Sequence, residues 1–188
     1  MRWGWVAGTG LMLLVGLSGP AVSQENLLHE FLQCTKEAPV ADRSPCNWFT
    51  AKAIQRLWGV KDFQRAGKPG EYLTANEIAD FVAGSRCWER LGTAADDETL
   101  ELAAREANAG LPVVAVYKAQ PHGHVALVTR GPVQHSGTWK SNVPMSASFL
   151  LDDPQASYVS GPLSKAFGPA KRPAVALYAR TRFAPECG

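Results

Sequence analysis

Val113-Val114-Ala115-Val116-Tyr117 and, one turn later, Gly123-His124-Val125-Ala126-Leu127-Val128 decide how this chain is read. Both runs are β-branched and aliphatic, and both are too short to be helices. Gln120-Pro121-His122-Gly123 between them has the composition of a hairpin turn. Upstream of Pro112 the pattern is different, because apolar residues recur there at helical spacing. Leu100, Ala103, Ala104 and Ala107 follow Asp96-Asp97, which opens a helix that ends at Asn108-Ala109-Gly110. Thr74-Ala75-Asn76-Glu77 is a capping box, with Ile78, Phe81 and Val82 on one face of a helix over 75–83. Helices first and paired strands afterwards predict an α+β fold.

Working outward, residues 26–33 carry a helical apolar stripe in which His29 reads as a surface residue. Phe49, Ala53 and Leu57 share a face with Ile54 and Trp58 beside it, and Gly59 stops that helix. Lys61 to Tyr72 reads as a surface loop, and Trp88 and Leu91 as core residues. Val133 to Thr138 is expected to return as a third strand, and Ala174 to Ala179 as the last one. Residues 138–170 show no period and predict loops, with short structure around 149–151 and 163–167.

The length of 188 residues is enough for one domain with a real core. A net charge of +2 with no long basic run argues against nucleic acid, and no phosphate-binding glycine motif is present. Arg2, the apolar stretch from Trp5 to about Leu17 and the small residues Ala21-Val22-Ser23 read as a signal peptide over 1–23, cleaved near Ser23/Gln24. The apolar stretch is shorter than the roughly 20 residues a membrane span needs. The expectation is an exported, soluble protein, periplasmic or extracellular, with a single domain over 24–188 and no membrane span once the leader is removed.

Export makes the four cysteines, Cys34, Cys46, Cys87 and Cys187, candidates for disulfides. Two bridges would leave no reactive thiol. The alternative leaves Cys46 free and one bridge among the others, with Cys34–Cys87 and Cys34–Cys187 both sensible. Ser44-Pro45-Cys46-Asn47-Trp48-Phe49 reads as a helix start, because Ser44 has the character of an N-cap and Pro45 of the first helical residue. Cys46 would then lie in the first turn, where the helix dipole and unpaired N–H groups favour thiolate. His124, on a strand, is the candidate base.

Cys46 opening an amphipathic helix, followed by the paired strands 113–117 and 123–128, resembles the NlpC/P60 and CHAP group of papain-like cysteine peptidases and amidases. The likeness covers roughly residues 40–140. It implies N-terminal helices packed on a small antiparallel sheet, and hydrolysis of amide bonds in bacterial cell walls. It also implies a third polar residue on the strand after the histidine. Gln134 is the first choice, with His135 and Ser136 behind it. Trp48, His122 and Trp139, together with Tyr117, are candidates for lining a substrate groove.

His122-Gly123-His124 invites a metal reading with His135 or Asp152, but the spacing matches no zinc motif, and no metal or cofactor is expected. The expected partner is peptidoglycan or a peptide. Competing readings are a protease or transamidase acting on proteins, and a secreted binding or inhibitor module without turnover. The chain does not reveal its oligomeric state.

Overall fold

The computed structural model describes residues 24–37, 48–150 and 153–181, with side chains from 33 to 37 left aside. The leader over 1–23, Cys46, Cys187 and Asp152 lie outside the described residues. In chain order the elements are α1 (Gln24–Glu37), α2 (Phe49–Trp58), α3 (Ala75–Gly84), β1 (Trp88–Thr93) and α4 (Asp97–Asn108). Then follow β2 (Val113–Tyr117), β3 (His124–Val128), β4 (Gln134–Ser136), β5 (Ser141–Val143), β6 (Met145–Ser148), β7 (Tyr158–Pro162) and β8 (Ala176–Arg180). Short 3-10 turns cover Pro154–Ala156, Leu163–Lys165 and Pro169–Ala174.

Six strands form one sheet in the order β1-β8-β2-β3-β6-β7, and every pairing is antiparallel. Alternation along β2 sends its side chains to two different cores. Val114 and Val116 join Leu127, Ala147, Phe149 and Tyr178 under Leu28 of α1, Phe49, Ala53 and Ile54 of α2, and Ile78 and Val82 of α3. Val113 and Ala115 join Ala126, Val128, Leu177 and Ala179 with Leu100, Ala103 and Ala107 of α4, Trp139 and Phe167. The sheet is therefore a middle layer, with α1–α3 on one face and α4 on the other. The α+β class and the antiparallel sheet are as the sequence predicts.

Local signals place several helix ends. Thr74 and Glu77 make the reciprocal capping box that starts α3, and Asp96 caps α4 by accepting from the N–H groups of Glu98 and Thr99. Gly59 ends α2 in the left-handed conformation (φ 68°), which glycine reaches without a side-chain clash. The start of α2 differs from expectation. The helix begins at Phe49, with Trp48 at its cap position and no side-chain cap, rather than at Pro45. Its first backbone bond runs from Lys52 N–H to Trp48 O. Cys46, three residues before Phe49 in sequence, lies outside the described residues.

Three further expectations change. The strand after β3 leaves the main sheet, because β4 pairs with β5 as a separate two-stranded ribbon, and β6 takes the place beside β3. Trp88 is buried in the core and Leu91 packs against the second core, as expected, but both stand on a strand the sequence does not announce, β1, which pairs with β8 across a bulge between Arg90 and Gly92. The stretch from Lys61 to Tyr72 is not merely a surface loop, since Asp62 and Phe63 are buried within it and Gln64 bridges Tyr72.

Candidate functional site

The site grows from the first residue of β3. Antiparallel register sets His124 directly opposite Tyr117 of β2, so the two side chains stand together on one face. The same alternation puts Ala126 and Val128 on that face, toward α4 and Phe167. The Phe167 ring meets the imidazole edge-on, with centroids 5.2 Å apart. Leu127 pairs with Ala147 and Val128 with Ser146, which brings the end of β6 alongside the start of β3. There the fully buried Ser148 lies 2.7 Å by its Oγ from His124 Nε2. Among the described residues no hydrogen bond reaches the other ring nitrogen, Nδ1.

Burial, and secondarily the Lys171 cation, pull the His124 pKa down to about 4. The imidazole is therefore neutral at neutral pH, with one nitrogen engaged by a hydroxyl and the other able to take a proton. Lys171 comes from the 3-10 turn Pro169–Ala174, and its Nζ sits 5.3 Å from the centroid of the Tyr117 ring.

The turn that delivers His124 is held from α3. Asn76 Nδ2 donates to Ala119 O (2.9 Å) and Pro121 O (3.5 Å), while its Oδ1 accepts from Ala119 N–H (3.3 Å). One turn further along α3, Asp80 pairs with Lys118. Gly123 is required by close approach, since a Cβ there would press on Asn76 Oδ1 and lie 2.5 Å from Tyr117 O. The histidine strand is thus fixed at its entry by a helix on the opposite face of the sheet.

Among the candidate residues, Tyr117 and His124 are brought together. Gln134 and His135 are exposed on the separate ribbon. Ser136 is buried, bonds the Thr138 hydroxyl and accepts from Trp139 N–H. The side-chain partner of His124 is Ser148 instead. Trp139 is only 3% exposed, and its indole N–H donates to Phe167 O, so it is a core residue and offers no surface to a ligand. Trp48 is half-buried and packs on Tyr72 with centroids 5.8 Å apart. His122 is exposed in the β2–β3 turn.

Ser148 and Lys171 carry no motif that sequence reasoning could have used. The only available signal for Ser148 was that a polar partner should lie on the strand next to β3 in space, which is β6 rather than the next strand in sequence. The cysteine pattern is partly visible. Cys87 is disulfide-bonded and no described cysteine is free.

The end of the sheet that carries His124 is also where α2 begins. The Phe49 ring, in the first turn of α2, lies against Phe149 with centroids 3.4 Å apart, and Phe149 directly follows Ser148. Among the described residues no three histidine, cysteine or acidic side chains converge as a metal site would require. No helix among them is long and apolar enough to cross a membrane. No protein-family model matches the chain, and the search of curated proteins finds no match.

Proposed function

We propose that the protein is an exported cysteine hydrolase that cleaves amide bonds, with peptidoglycan stem peptides as its substrate class. The fold is read as a divergent papain-like arrangement of the NlpC/P60 type. Cys46 is the nucleophile, His124 the general base and then acid, and Ser148 the residue that orients the imidazole. In the reaction His124 Nδ1 takes the thiol proton as the thiolate adds to the amide carbonyl carbon. It then gives that proton to the leaving amine, and water hydrolyses the resulting thioester.

The observation that carries this reading is the state of His124: neutral, held through Nε2 by Ser148, and with Nδ1 available. His124 is half-buried, and no buried side-chain nitrogen or oxygen among the described residues lacks a partner, so Nδ1 is open to solvent and to a reacting group. The Phe49–Phe149 contact sets the start of α2 at the same end of the sheet, on the face opposite His124.

Disulfide mapping of the native protein is the decisive experiment. The reading expects the Cys87 bridge to go to Cys34 or Cys187, and expects iodoacetamide to label Cys46 before any other thiol. Labelling should slow at least tenfold in His124→Ala. A native disulfide at Cys46 overturns the nucleophile and leaves a binding module as the better description. Purified muropeptides should be cut by the wild type and left intact by Cys46→Ser. Identical digests would move the substrate from cell wall to protein.

A further inference from the structure

We infer that Lys171 anchors a carboxylate of the substrate beside His124, so that the preferred substrate is an anionic peptide. This rests on the hydrolase reading above and gives it a specificity residue. Arg172, the next residue, is fully engaged. Its guanidinium donates to Ala94 O (2.8 Å), Trp139 O (2.5 Å) and Asp97 Oδ1 (2.7 Å). Those bonds clamp the 169–174 turn onto the segment joining β1 to α4 and to the Trp139 loop.

Lys171 is left exposed on this clamped turn and has no acidic partner among the described residues. It stands over the face of Tyr117, the residue paired with His124. A ring face attracts a cation but neutralises none of its charge. Lys68 has Glu71 and Lys118 has Asp80, whereas Lys52 and Lys165, like Lys171, stand over aromatic rings. What sets Lys171 apart is its place: among the described residues it has no acidic partner, and it lies on the face that carries the base, near enough to lower the proton affinity of His124. An anion bound there would complete the charge pair, with the neighbouring aromatic body of Tyr117 shielding it in part from water.

Two alkylating probes of similar size test this, iodoacetate and iodoacetamide. Each forms a C–S bond at the thiolate and expels iodide, and they differ chiefly in the carboxylate. The ratio of their rates at Cys46 is measured against the same ratio for glutathione at matched pH. Wild type should favour iodoacetate about fivefold, consistent with one charge pair near a surface. Lys171→Gln should bring the ratio down to that of glutathione, whatever common change it makes to the reactivity of Cys46. Lys171→Arg should keep the preference, and the distant Lys68→Gln should leave it unchanged.

An unchanged ratio in Lys171→Gln, with Cys46 still labelled, overturns the carboxylate anchor and leaves the hydrolase standing. No labelling of Cys46 by either reagent overturns the hydrolase and the anchor with it. Loss of the preference in Lys68→Gln as well would mark it as a net-charge effect and overturn the anchor alone.

Discussion

At the scale of single residues, His124 links the site to the stability of the fold. Its folded pKa of about 4 lies below the ordinary imidazole value of 6.5. Between those two values the unfolded chain binds a proton that the folded chain does not, so stability is lost as pH falls from 6.5 to 4. A shift of this size corresponds to about 3 kcal/mol. Urea unfolding at pH 7 and pH 4 should show a loss in wild type that exceeds the loss in His124→Asn by about that amount. Equal losses would mean that the imidazole is not held neutral. Ser148→Ala tests the other half of the pair. It leaves Nε2 without its partner in a buried site and should cost about 1–3 kcal/mol. Ser148→Thr, which keeps the hydroxyl, should cost less unless the added methyl group is not accommodated.

At the scale of elements, α3 is a bracket on both sides of its first turn. Glu77 closes the capping box with Thr74 and also accepts two bonds from Arg65, at 2.8 and 3.0 Å. Asn76 meanwhile grips the β2–β3 turn. Gly123→Ala should therefore destabilise the protein by about 1–3 kcal/mol, because the new methyl meets backbone as well as the Asn76 amide. Asn76→Ala should cost a similar amount, and combining the two should cost less than their sum, since they share one contact. Additive losses in a thermal-melt comparison would break the link.

These elements were unequally legible. Capping residues and helical periodicity are local, so α3 and α4 could be read nearly to their ends. The β2–β3 hairpin could be read because its residues alternate between two apolar faces, both covered. β6 could not. Met145-Ser146-Ala147-Ser148 is buried throughout, and its hydroxyls are satisfied by Tyr158, Gly161 O and His124, which no local pattern reports. β1 was hidden by Gly92 and the bulge. Gln134 lies on the next strand in sequence, but sequence order is not spatial order here. The chain instead detours through the β4–β5 ribbon before β6 arrives.

At the scale of the molecule, one buried ion pair fastens three distant segments. Asp62, 4% exposed, accepts from Arg180 Nε at 2.8 Å and from the Trp88 indole N–H at 3.0 Å. It thereby ties the 59–64 segment to β8 and β1. Asp62→Ala removes the buried carboxylate that pairs with Arg180 and takes the Trp88 N–H, and should cost about 3–5 kcal/mol. Replacing the pair together should recover part of that loss, and a double-mutant cycle by urea unfolding would show it. A loss under about 1 kcal/mol would make the pair ornamental.

The place of β8 in the sheet has a consequence for biosynthesis. The last strand among the described residues lies in the interior, between β1 and β2. A chain made only as far as residue 175 therefore owns two unfinished edges and no continuous sheet. The sheet closes when β8 arrives, because β8 supplies the contacts that join the two parts. Until then the polypeptide is threadable, and any truncation before β8 yields a product with two open edges for neighbours to pair with.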